Sequence, residues 1–326
     1  MAFDIIFLGH FAIDEIIYDQ KVSHSLGGGV TYGSLAAHNY NSSLKLGITS
    51  KVGRDFDDDF LGMFKDGTID LNGIKNDSEK STRYRLQYHG KTRDLTLQGR
   101  ANTIQYEDVP EEYKGALSFM ISPIANEINK DLIDSIIEDT SAYIAADVQG
   151  FIRKFRDDGT IIRKRDEEMA EKVRNIIEKC NGRLILKASD DEANYIADRD
   201  DVIESTQYLS ELSNAVVLTT LGPDGSLIKY KDYKMIHVPA LVPKQLVDET
   251  GAGDCYTAVF LSEFLKSDKD WADIKKAGYC ASTACSFLIE NQGPQGYGSY
   301  KQVQERLKNK KAIETPFHEK VKENDY

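Results

Sequence analysis

Asp254 lies in the run DETGAGDCY, Asp248 to Tyr256, and its neighbours decide what the carboxylate can do. Tyr256, Val259, Phe260 and Phe264 follow at helical spacing, so the run reads as a loop entering an amphipathic helix. Gly251 and Gly253 let the backbone bend and approach a ligand closely. The first amides of a helix have no intrahelical acceptor, and the helix dipole is positive there. Such a turn suits a phosphate. A carboxylate in the first helical turn can reach a hydroxyl held before the same amides and take its proton as it attacks a γ-phosphate. A Thr-Gly helix start with an acidic first turn is also an ordinary cap, but the full run is far more specific than a bare GxGD.

Other residues invite weaker readings. The charge run Asp55, Phe56, Asp57, Asp58, Asp59 reads as a solvated helix start rather than a metal cluster. His10 and His89 have no His or Cys partner at ligand spacing. Cys180, Cys255, Cys280 and Cys285 form no CxxC pair, so neither a zinc site nor a disulfide framework is expected.

The elements that must position Asp254 follow an α/β rhythm. FDIIFLG (3–9) and GITSKVG (47–53) read as strands, with the Gly-rich LGGGV (26–30) and a helix, YGSLAAHNY, between them. From residue 116 strands and helices alternate: ALSFMIS, then INKDLIDSIIED; AYIAADV, then RDEEMAEKVRNIIEKC; then RLILKAS and AVVLTTLG. This predicts βαβ units around a mainly parallel sheet. Residues 15–24 and 82–98 are different: polar and apolar residues alternate, and His89-Gly90-Lys91 turns the second segment into a hairpin. Together they predict a small sheet standing off one domain that spans 1–326. The charged stretch from about Lys308 is expected to fray.

Composition bounds the function. The 326 residues can bury a large core, and the net charge of −12 argues against nucleic acid or anionic membrane as a partner. No run of about 18 apolar residues occurs, and the N-terminus reads as a first strand rather than a secretion signal, so a cytoplasmic protein is expected.

DETGAGD resembles the C-terminal signature of the ribokinase-like (PfkB) family of carbohydrate kinases, and LGGGVTYGSLAAHNY resembles its N-terminal Gly-Gly signature. The likeness runs over nearly the whole chain. It implies a three-layer α/β/α fold with a mainly parallel central sheet and a small β-sheet lid. It implies a kinase using ATP and Mg²⁺ on a small polyol, with Asp254 as base and Gly251, Ala252 and Gly253 as anion hole. By the same resemblance, Asp14, Gly27, Gly28 and Thr31 bind substrate, Thr31 and Tyr32 standing where relatives often carry Asn. Ser189 replaces the Asn of an Asn-x-x-Glu motif whose Glu, here Glu192, meets Mg²⁺ mostly through water. Thr219, Thr220, Gly222 and Gly225 look like the nucleotide strand and turn, and Asn291 like the segment beside adenine. Some relatives pair through their lids, so a homodimer is a further expectation.

The run DVQGFIR, Asp147 to Arg153, resembles that of inositol kinases. Asp147, Gln149 and Arg153 are therefore expected at the substrate, Gln149 on ring hydroxyls and Arg153 on a phosphate oxygen. The expected acceptor is myo-inositol or another polyol. Ribokinase, fructokinase or nucleoside kinase activity, and a non-catalytic sensor on the same fold, are the alternatives.

Overall fold

The computed structural model describes residues 2–19, 21–64, 66–89, 92–162, 164–309 and 311–323. The N-terminal part contains β1 (Ile5–Leu8), β2 (Ala12–Tyr18), β3 (Lys21–Gly27), α1 (Gly29–Tyr40), β4 (Leu46–Gly53), β5 (Ile69–Ser78), β6 (Thr82–His89) and β7 (Thr92–Gly99). The middle contains β8 (Ser118–Ile121), α2 (Lys130–Asp139), β9 (Tyr143–Asp147), β10 (Lys154–Phe155), β11 (Ile161–Ile162), α3 (Glu167–Cys180), β12 (Leu184–Ser189), α4 (Asp190–Ala197) and α5 (Val202–Glu211). It closes with β13 (Val216–Thr220), β14 (Ser226–Tyr230), β15 (Ile236–Val238), α6 (Ala252–Leu265), α7 (Trp271–Leu288), α8 (Tyr300–Asn309) and α9 (Phe317–Glu323).

Nine strands form the central sheet in the order β15-β14-β13-β12-β9-β8-β1-β4-β5. The pairs from β13 across to β5 are parallel, and β14 and β15 add an antiparallel edge. Ile5 and Phe7 of β1 point into the layer containing α1, α6 and α7, while Ile6 and Leu8 point into the layer containing α2 to α5. Both faces are covered, which is why these strands read as unbroken apolar runs. Each fully buried Ile, Leu or Phe contributes about 1.5–3 kcal/mol through removal from water.

A second sheet, order β3-β2-β6-β7, carries the two alternating segments anticipated from sequence. Gly90 and Lys91, expected at its hairpin turn, lie outside the described residues, as does Gln20 between β2 and β3. Its root is polar. Buried His10 bonds the Asn102 carbonyl through Nε2 (3.0 Å) and Thr82 Oγ1 through Nδ1 (2.7 Å), and Arg83 Nε donates to Asp55 Oδ2 at 2.7 Å. Asp55 is exposed, as its charge run suggested, and in addition pairs with Arg83 and accepts the Ser81 N–H at 2.7 Å. Its neighbours Asp57, Asp58 and Asp59 are exposed.

The tail is a correction. Residues 311–323 are tied down: Ile313 N–H donates to the Ala240 carbonyl at 2.8 Å, and Val321 of α9 is buried. Its charged composition hid the apolar residues at 313, 317 and 321.

Candidate active site

Helix starts divide into two kinds. Helices α2, α3, α4, α5 and α7 carry side-chain caps from Asn129, Asp166, Ser189, Asp201 and Asp270. Helices α1 and α6 have none; they start after Gly28 (φ 92°) and Gly251 (φ 78°). Capping side chains ordinarily fill the orphan amides of the first turn, so α1 and α6 leave theirs open to a ligand. At Gly251 the left-handed backbone and the space both require glycine: a Cβ there would lie 2.0 Å from the Tyr32 ring.

Asp254 stands in the first turn of α6 and points at the start of α1. Its Oδ1 lies 2.7 Å from where a Cβ on Gly29 would be, so the two open helix starts converge on its carboxylate. Burial, then the charge of Asp147, raise the Asp254 carboxyl to about 7, against the pull of Lys187 and Arg153. A group of this kind changes charge near neutral pH and can accept a proton from a hydroxyl.

Lys187, unremarked in the sequence, is the central cation. It lies on β12, 5 % exposed, and donates to Asp147 Oδ2 at 3.0 Å. Its Nζ is 3.9 Å from Glu192 Oε2 and packs on Gly253, 2.9 Å from where a Cβ would sit. Burial works against its charge, but Asp147 and Glu192 outweigh it and hold its pKa above the usual lysine value. The available signal was a lysine within the apolar strand run LILKAS, since buried lysines are rare unless paired.

Two cavities meet at the α6 start. One, of about 240 Å³, is lined by Asp14, Gly28, Asp147, Gln149 and Arg153 on its polar side and roofed by Tyr84, Leu86 and Leu95 of the second sheet. The other, of about 320 Å³, lies under Thr220, Gly222 and Gly225 and opens among Leu241, Leu246 and Ile313. Lys187, Glu249, Ala252 and Gly253 line both. A larger cavity of about 410 Å³ between Lys130, Phe151 and Lys172 contains none of these groups.

The structure thus brings together Asp14, Gly28, Asp147, Gln149, Arg153, Gly251, Ala252, Gly253 and Asp254 at one cavity, and Thr220, Gly222 and Gly225 at the other. It places other expected residues elsewhere. Thr31 is buried and donates from Oγ1 to the Gly27 carbonyl at 2.7 Å, turned away from the cavity that Tyr32 lines. Gly27 lies behind Asp14, whose Oδ2 occupies the space of a Cβ (2.1 Å). Thr219 pairs with Thr206 at 2.8 Å on the helical side of β13. Asn291 is exposed and donates to the Phe287 carbonyl at 3.3 Å, outside the cavity lining. A one-residue change of register on a strand moves a side chain to the opposite face, which explains the split between Thr219 and Thr220.

Two finer points concern the expected roles. Asp147 has both oxygens engaged, Oδ1 by the Gln149 N–H at 3.0 Å and Oδ2 by Lys187. The Ala252 N–H donates to the Glu249 carbonyl at 3.2 Å, so one of the three amides of the expected anion hole is already engaged within the loop. For a metal, no group of three or more His, Cys, Asp or Glu suited to an ion occurs among the described residues. Glu192 accepts the Ser189 N–H through Oε2 at 2.7 Å and lies outside the lining of both cavities, 3.9 Å behind the Lys187 ammonium. That suits a hydrated ion carried in on phosphates, not a protein cage.

Comparison with known proteins agrees with this geometry. The profile of the pfkB family of carbohydrate kinases matches residues 9–297, and the chain belongs to that family of phosphotransferases. The cytidine kinase of Thermococcus kodakarensis is 25 % identical over 263 residues, covering 80 % of this chain and 88 % of that one. A pyrophosphate-dependent ribokinase-family kinase, solved with a pyrophosphate analog and myo-inositol, superposes with a TM-score of 0.73 at 22 % identity, covering 94 % of this chain and 100 % of that one. Arabidopsis thaliana ribokinase, solved with ribose and ATP, superposes with a TM-score of 0.74 at 16 % identity, covering 94 % and 99 %. The fold is ribokinase-like.

Proposed function

We propose that this kinase transfers the γ-phosphoryl group of ATP to a ribose hydroxyl of a nucleoside, with Asp254 as general base. The observation that carries the reading is the meeting of two cavities at the α6 start, with Asp254 on the acceptor side. The acceptor hydroxyl gives its proton to Asp254 while its oxygen bonds to the γ-phosphorus. The bond from that phosphorus to the β-bridging oxygen breaks, and ADP leaves with the bonding pair. The Gly251 and Gly253 amides and the Lys187 ammonium face the charge on the transferring group. Glu192 would meet the water shell of a Mg²⁺ ion bound with the donor, an ion that would neutralise charge on the phosphates. Asp147 holds Lys187 in place.

The acceptor cavity supports a nucleoside more than a bare polyol. Asp14, Gln149 and Arg153 form a polar floor for hydroxyls, and Tyr84, Leu86, Leu95 and Ile124 form an apolar roof for a base. The related cytidine kinase acts on such a substrate. The second reading is myo-inositol, favoured by the run Asp147–Arg153. The donor is ATP rather than pyrophosphate, because the second cavity continues from the phosphate turn into an apolar slot. The second sheet acts as a lid excluding water over the acceptor, and its edge strand β3 and the exposed Tyr18 and Val22 are the surface through which two copies pair.

The test is an ADP-release assay over nucleosides, myo-inositol, ribose and fructose. The highest kcat/KM is expected with a nucleoside. A tenfold preference for myo-inositol moves the reading to the cyclitol, and binding without turnover of every compound reduces the protein to a sensor.

A further inference from the structure

Residues 311–323 lie beyond the stretch matched by the family profile, 9–297, yet they are built into the second cavity. They cross the segment Ala240 to Val242 as a strap. The Val242 N–H donates to the Lys311 carbonyl at 2.9 Å, the Ile313 N–H donates to the Ala240 carbonyl at 2.8 Å, and Leu241 pairs antiparallel with Ala312. This puts the Ile313 side chain in the wall of the apolar slot, with Ala240, Leu241, Pro243, Leu246 and Ile289.

The strap is anchored at its far end. Val321 of α9 is buried against Ile203, Leu221, Leu227 and Met235. The Phe317 ring stacks over His237 with centroids 6.4 Å apart, and His237 Nε2 donates to the Asp224 carbonyl at 2.6 Å. Leu221 and Asp224 belong to the turn that includes the cavity-lining Gly222 and Gly225. One short segment therefore holds the phosphate turn from behind and lines the slot in front of it. Leu246, which lines the same slot, is 61 % exposed, so an apolar group filling the slot would cover apolar surface there.

We propose that the strap is a donor-specificity element: Ile313 is the wall on which the nucleobase of a nucleoside triphosphate lies, and the strap makes donor use depend on that base. The inference rests on the reading of this cavity as the donor site. An aliphatic side chain contributes by apolar burial alone, so it selects for the presence of a base and acts on donor binding, not on the proton transfer at Asp254.

The experiment measures KM for ATP, KM for the acceptor and kcat in the full chain and in Ile313→Asp and Ile313→Ala. Ile313→Asp is expected to raise KM for ATP by about tenfold or more, the loss of one well-buried aliphatic contact, and Ile313→Ala by less. Acceptor KM and kcat at saturating ATP should stay within about twofold. Pyrophosphate, which has no base, should inhibit the parent and Ile313→Asp competitively against ATP with equal Ki. Unchanged KM for ATP in both variants, or a pyrophosphate Ki that rises with it, overturns the role of the strap. Should Ile313→Asp not fold, Ile313→Ala carries the same comparison. No turnover in the unaltered chain with any donor would instead sink the reading of the cavity as a donor site.

Discussion

At the scale of the residue, the proposed chemistry depends on one carboxylate kept near its titration point. Asp254 must be ionised to take a proton, and its carboxyl is raised to about 7 by burial and then by Asp147. The rate should therefore rise with pH through about 7 and level off above it. Asp254→Asn is expected to lower kcat by about 10²–10⁴ with acceptor binding retained, as general-base loss does; a kcat within threefold of the parent contradicts the assignment. Lys187 pulls the other way on the same carboxyl. Lys187→Gln should thus lower kcat and shift the acid limb of the pH–rate profile upward. A purely structural lysine would leave that limb in place. The sequence exposed Asp254 because a carboxylate after TGAG in a helix start has a local signature. It hid Lys187, whose role depends on Asp147 and Glu192 converging from two other segments.

At the scale of the element, the open helix starts are the device. Gly251→Ala brings two costs, a left-handed backbone at φ 78° and a Cβ 2.0 Å from the Tyr32 ring. The first alone is worth about 1–2 kcal/mol. Gly67 provides the comparison, since it has φ 69° and nothing within 4 Å of a Cβ. Gly67→Ala should lower Tm modestly and leave activity unchanged, whereas Gly251→Ala should lower Tm further and raise KM for ATP. Equal behaviour of the two variants would show that contact with Tyr32 does not matter. The glycine signature was legible because positive φ and close approach select one residue type. Thr31 was misplaced because helical rotation, set by packing, aims Tyr32 and not Thr31 into the cavity.

At the scale of the whole molecule, the active site has a cost in stability. The folded-state pKa of Asp254 lies above its ordinary value of 3.8. The folded protein therefore holds a proton that the unfolded chain releases earlier. The contribution of this group is fully present below about pH 4 and is lost as pH rises toward about 7. Asp254→Asn removes the charge and should raise Tm above that of the parent by more at pH 8 than at pH 5. A variant less stable at pH 8 than at pH 5, relative to the parent, would show the ionised carboxylate to be well compensated.

The alternation of apolar strand runs with amphipathic helices determined the α/β layering, and the run DETGAGD determined where the proposed base, Asp254, sits. Both are readable because their causes are local: a periodicity of burial in one case, and glycine conformation with a helix start in the other. Tertiary structure alone decided the rest. It set which of Thr219 and Thr220 faces the second cavity, paired Asp147 with Lys187, and carried the charged C-terminal segment back across residues 240–242 to line that cavity. Those outcomes arise from contacts between residues far apart in the chain, and no spacing within one segment encodes them.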